Sequence, residues 1–175
     1  MFNTFFNSSQ WFYLSILFVA FFSASCASQE ERLQLAKQEV EIINSKLDKA
    51  EMVSGLMFRG ENRFSYRAYF VDDELVYIFS DINFGSNSAS TDFYYFQNGN
   101  LIYLNRQEVG FDPIQKKRKR SVKTEIYFDR DEILESVKTV AGNYAEITHE
   151  EIEEIQRNAE SLYSTAMEKM NSKNK

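Results

Sequence analysis

Apolar positions recur along this chain with two different periods. Leu33, Ala36, Val40, Ile43, Leu47 and Ala50 are spaced three and four apart, which places them on one stripe of a helix over 28–52. Ser28-Gln29-Glu30-Glu31 marks its start. The Ser28 hydroxyl can accept from the Glu31 amide while the Glu31 carboxylate reaches back, a capping box. Ile152, Ile155, Ala159, Leu162, Ala166 and Met170 repeat the helical spacing over 149–170. Thr148-His149-Glu150-Glu151 opens that segment, and its glutamates suit the positive end of a helix dipole. Between the helices the pattern changes to alternation rich in Tyr, Phe, Val and Ile, which predicts strands at 53–59, 63–71, 75–84, 91–97, 100–109, 121–128 and 132–140. Two stretches interrupt them, Gly85 to Ser90 and Gly110 to Arg120.

An internal repeat organises the β region. Its copies are Tyr69-Phe70-Val71-Asp72-Asp73-Glu74-Leu75-Val76, Tyr95-Phe96-Gln97-Asn98-Gly99-Asn100-Leu101-Ile102 and Tyr127-Phe128-Asp129-Arg130-Asp131-Glu132-Ile133-Leu134. Each reads Tyr-Phe, four polar or turn-forming residues, then two aliphatics. Asn98-Gly99 is a strong type I′ signal, because both residues tolerate positive φ. Asp72-Asp73 is weaker, and Arg130-Asp131 weaker again, so the third turn could be longer or bulged. The predicted fold is α+β: an antiparallel meander of six or seven strands with the N-terminal and C-terminal helices packed on one face.

The charge distribution adds an address. Residues 1–28 contain no Asp, Glu, Lys or Arg, and Trp11 to Phe22 is an almost unbroken apolar run. That run is shorter than the roughly 20 residues that span a bilayer and fits the hydrophobic core of a signal peptide. Ser23-Ala24-Ser25-Cys26 then supplies small side chains before a cysteine, the order that a lipoprotein peptidase needs. The segment departs from the usual pattern in lacking a basic start and in carrying Ser23 where Leu is normal. The reading is a lipoprotein signal peptide over 1–25, lipidation at Cys26 and one globular domain over 26–175. The alternatives are cleavage after Ala27 to give a soluble periplasmic or secreted protein, or an uncleaved anchor. Cys26 is the only cysteine, so no internal disulfide competes for it. The formal net charge of −6 argues against nucleic acid as a partner.

Candidate chemistry is sparse. There is one histidine and no second cysteine, Gly-rich phosphate loop or HExxH motif, so no catalytic residue, metal site or cofactor is assigned. His149 and Glu153 share a helix face at metal-ligand spacing, but a solvated first turn explains them as well. Asp72, Asp73, Asp129 and Asp131 could pair as acids, though turns select Asp for backbone reasons. Lys116, Lys117, Arg118, Lys119 and Arg120, with Lys123 beyond, break the acidic background. They form a candidate site for an anionic ligand such as a lipid head group; the competing readings are a solvated loop or a loop docked on the glutamates of the second helix. Tyr69, Tyr94, Tyr95, Tyr103 and Tyr127 offer aromatic faces for recognition, or cross-strand stabilisation alone.

Tyr94-Tyr95-Phe96-Gln97-Asn98-Gly99-Asn100-Leu101-Ile102 and Glu125-Ile126-Tyr127-Phe128-Asp129 resemble segments of uncharacterised exported lipoproteins of the Bacteroidetes. The similarity covers roughly residues 60–135, and MORN-like repeats share part of the hairpin pattern. The resemblance implies location at the outer membrane or cell surface and a hairpin-rich fold, and implies no activity. The leading function is a non-enzymatic binding or structural module of the envelope, anchored to the membrane by lipid, with a protein, glycan or anionic lipid as partner. One alternative is an inhibitor or immunity-type lipoprotein that blocks a hydrolase or toxin through the loop at 110–121. The other is a carboxylate-dependent hydrolase.

Overall fold

The computed structural model describes residues 27–60, 62–84, 88–111 and 118–173. Helix α1 (Gln29–Lys46) continues into a short 3-10 turn, Leu47–Lys49, and ends there because β1 begins at Glu51. The capping box at Ser28 and Glu31 is formed. Eight strands follow: β1 (Glu51–Arg59), β2 (Asn62–Val71), β3 (Glu74–Asn83), β4 (Ser88–Gln97), β5 (Asn100–Phe111), β6 (Arg118–Asp129), β7 (Glu132–Val140) and β8 (Asn143–Ala145). Helix α2 (His149–Lys173) closes the chain, and Thr148 and Glu151 bond reciprocally at its start.

The strands form one antiparallel sheet in sequence order. The prediction of six or seven strands missed β8, whose three exposed residues are too short to show a period. Its turn, Ala141-Gly142, has positive φ at both positions. The prediction also put β4 and β6 too late: the structure begins them at Ser88 and Arg118, inside the stretches expected to be connectors.

The larger correction concerns the helices. Side chains alternate across a strand, and the two helices pack against opposite sets. Ile155, Ala159, Leu162, Ala166 and Met170 of α2 join Phe64, Ala68, Ile78, Tyr94, Leu104 and Ile126. Val40 and Ile43 of α1 join Tyr77, Tyr95, Ile102 and Tyr103. The helices therefore cover opposite faces rather than one. The reason is written in β4, where Phe93-Tyr94-Tyr95-Phe96 is apolar on both sides and needs two covers.

The three repeat copies share one irregularity. Tyr69 pairs with Tyr77 but Phe70 with Leu75; Tyr95 pairs with Tyr103 but Phe96 with Leu101; Tyr127 pairs with Glu135 but Phe128 with Ile133. Val76, Ile102 and Leu134 are the extra residues of three β-bulges. Each bulge splits the aliphatic pair of its repeat. Leu75, Leu101 and Ile133 pack toward α2, whereas Val76, Ile102 and Leu134 pack with side chains on the α1 side. Helix α1 thus lies across a line of bulges from β7 to β3.

Candidate functional site

Beneath α2 a row of polar side chains crosses the sheet. The register sets Tyr66 beside Ser80, Ser80 beside Asp92, Asp92 beside Arg106, Arg106 beside Thr124 and Thr124 beside Lys138. Asp92 is 0 % and Arg106 8 % exposed. A carboxylate buried without partners is costly, and Asp92 has partners on every side. Arg106 donates from Nε at 3.1 and 3.0 Å and from Nη2 at 2.8 Å. The Tyr94 hydroxyl donates at 2.7 Å, and the Ser90 hydroxyl also donates to the carboxylate. These bonds use roughly the four acceptor directions that a carboxylate has.

The electrostatics agree with the geometry. Burial pushes the Tyr94 phenol well above its ordinary value, and the charge of Asp92 adds to this. Burial works against the Arg106 charge, but Asp92 outweighs it and the guanidinium is held more firmly protonated than usual. Toward α2, Arg106 Nη1 comes within 4.0 Å of Glu154, and Lys138 bonds Glu151 at 2.5 Å. Desolvation raises the Glu151 carboxyl, yet Lys138 and the Thr148 amide bring its net value below the usual range. The row fastens the start of α2 to β5 and β7, and its acid has no acceptor direction left for a substrate proton.

The residues singled out from sequence are scattered over the molecule. Cys26, Lys116 and Lys117 lie outside the described residues. Arg118, Lys119 and Arg120 belong to β6 rather than to a loop, with Arg118 opposite Phe111 and Arg120 opposite Gly110. His149 is an 85 % exposed side chain paired with Glu153 at 3.1 Å, and among the described residues no cluster of three or more His, Cys, Asp or Glu could hold a metal ion. Asp72 and Asp73 occupy the β2–β3 turn, Asp129 and Asp131 the β6–β7 turn. Four strand spacings, about 19 Å along the sheet, separate those turns, and Asp129 is engaged by Arg32 at 2.9 Å.

The tyrosines form a ladder. Tyr69, Tyr77, Tyr95, Tyr103 and Tyr127 stand opposite one another in consecutive strands, with ring centroids 4.4–5.4 Å apart. They pack in the cluster beneath α1, and Tyr94 points to the other face. Recognition by exposed tyrosines therefore does not fit this set. The uncovered aromatic surface lies further along the α1-side face, where Arg67 stacks over Phe79 at 4.4 Å, Phe79 meets Phe93 edge-on, and Phe58 is 69 % exposed.

The start of α1 is held at one end of the sheet. Gln29 donates to the Leu134 carbonyl at 2.7 Å, and Arg32 bridges Asp129 and Glu132 at 2.9 and 2.7 Å. Arg32 correspondingly lowers the Glu132 carboxyl. The basic residues that open β6 lie at the opposite end of that strand, up to eleven residue steps or about 30–36 Å away. Among the described residues no helix is long and apolar enough to cross a membrane. Comparison with known proteins finds no matching family, no similar curated protein and no similar solved structure.

Proposed function

We propose that this chain is an exported, lipid-anchored protein of the cell envelope, and that its domain is a non-enzymatic binding module whose basic β5–β6 end meets an anionic partner. The anchor reading is supported by the charge-free leader and by Cys26 after small residues. The observation that carries the binding reading is placement. Helix α1 begins three residues after Cys26 and its first turns are tied to the β6–β7 end, whereas Arg118–Arg120 lie about 30–36 Å along β6. Electrostatic attraction in physiological salt fades over about 8 Å. A domain hung from its turn end presents its basic end to a surface other than the anchoring bilayer.

The inhibitor or immunity-type reading uses the same hairpin. Strand β4 pairs with β5 as far as Gly110, whereas β7 stops opposite Val122, so Arg118–Arg120 at the start of β6 form an open sheet edge that a partner can meet. The carboxylate-hydrolase reading has less support, since the turn acids are too far apart along the sheet for a paired site and the buried acid is saturated. The test is vesicle tethering. Protein anchored in zwitterionic vesicles is mixed with separate anionic vesicles, and it should cluster them in low salt. The variant with Lys116, Lys117, Arg118, Lys119 and Arg120 all changed to Gln should not. Clustering that is absent from the wild type, or equal in both proteins, overturns the binding reading.

A further inference from the structure

The cavity of about 240 Å³ between α2 and the ends of the β4–β5 and β6–β7 hairpins has a construction that the basic end lacks. Its floor is apolar, from Leu101 and Tyr163 over the buried Phe96, and the Tyr163 ring, 5.1 Å from that of Phe96, is the aromatic face that remains partly exposed. Its rim is polar throughout. Gln156, Glu160 and Ser164 follow one another at four-residue spacing on one face of α2, and Asn100, Arg130 and Asp131 face them from the two turns. Gly99 stands at the mouth with φ +79°, a backbone conformation that favours glycine, and a Cβ added there would be in ordinary contact with the Tyr163 hydroxyl at 3.5 Å.

We infer that this cavity binds one ring of a neutral saccharide. The volume falls just below the roughly 300–1,000 Å³ of pockets for drug-sized ligands, so it suits one ring rather than a chain. A purely apolar guest would strip water from charged rim groups without replacing its hydrogen bonds. An anion would face two carboxylates against one guanidinium, and a compact cation, which only donates, would offer no acceptor to the Arg130 guanidinium or to the amide N–H groups of Asn100 and Gln156. A pyranose has an apolar C–H face for the Tyr163 ring and hydroxyls that both donate and accept around its edge, which matches amides, carboxylates, a guanidinium and a hydroxyl together. The inference rests on the domain being a binding module and is independent of the basic end. The sugar could come from a soluble glycan or from a glycolipid head group near the anchor, since cavity and α1 start share the turn end of the sheet.

The test is a titration of amide chemical shifts on the full chain, held in a detergent without a sugar head group, using methyl glucoside, methyl galactoside and N-acetylglucosamine, with inorganic phosphate as control. At least one sugar should produce saturable shifts confined to residues 99–101, 130–131 and 156–164, with a dissociation constant of about millimolar order for so small a ligand. The exposed pair Asp131→Asn with Glu160→Gln should leave thermal unfolding unchanged and weaken that binding about tenfold or more. Vesicles bearing a glucosyl lipid form the second arm: a response to soluble sugar alone assigns a free glycan, and a stronger response to the vesicles assigns a head group. Failure of all three sugars and of the glucosyl lipid to shift these amides, saturation by phosphate instead, or undiminished binding in the double variant overturns the inference. Vesicle tethering by the basic end is unaffected by any of these results, so the two readings fail separately.

Discussion

At the scale of single residues, the pair Asp92–Arg106 should dominate mutational sensitivity. Removing one partner leaves the other charge buried, and such losses cost about 3–5 kcal/mol. Asp92→Ala should lower unfolding stability by that order in urea titration, while Asp92→Leu combined with Arg106→Met should recover most of it. A single variant that loses less than about 1 kcal/mol would contradict the buried-pair account. The tyrosines make a second prediction. Burial raises the phenols of Tyr77, Tyr94, Tyr95 and Tyr103. Their folded values lie above the unfolded value of about 10, so the stability they contribute is complete below that pH and is lost as pH climbs through the folded values. Tyrosinate absorbance should therefore rise together with loss of the β-sheet circular dichroism. Ionisation near the ordinary value with the sheet intact would be inconsistent with buried rings.

At the scale of elements, the hairpins were largely legible and the bulges were not. Positive φ at Asn98 and Gly99, and at Asp72 and Asp73, bears out the turns read from sequence. Arg130 alone has positive φ in the third turn, which still keeps two residues. Replacing Asn98-Gly99 with Val-Val forces β-branched residues into left-handed geometry at roughly 1–2 kcal/mol each or more, so the domain should unfold at clearly lower temperature; unchanged unfolding would contradict the turn. The bulge after that turn explains why the polar row went unseen. In a regular two-residue hairpin Asp92 would stand opposite Asn105, with Arg106 on the other face. The extra residue Ile102 shifts the register by one and brings Arg106 to Asp92. The signal was present as Ser90, Asp92 and Tyr94 at alternate positions of β4, but without the bulge it points to no partner.

At the scale of the whole molecule, both helices and the order of strands followed from periodicity, while the side on which each helix packs did not. Alternation shows that two faces differ, and it does not show that both are apolar enough to need a helix; the tyrosine ladder under α1 supplies that fact. The site residues were legible only as composition. The basic stretch was identified as charge, yet its distance from the start of α1 depends on β6 beginning at Arg118, which alternation could not reveal in so polar a segment. Attachment of the domain through a lipid at Cys26 is tested most simply by the intact mass of wild type and Cys26→Ser extracted from membranes. A lipid-anchored protein should yield a wild-type chain that begins at Cys26 with added acyl mass, and no such species from the variant. An unmodified wild-type chain beginning at Ser28 would contradict it.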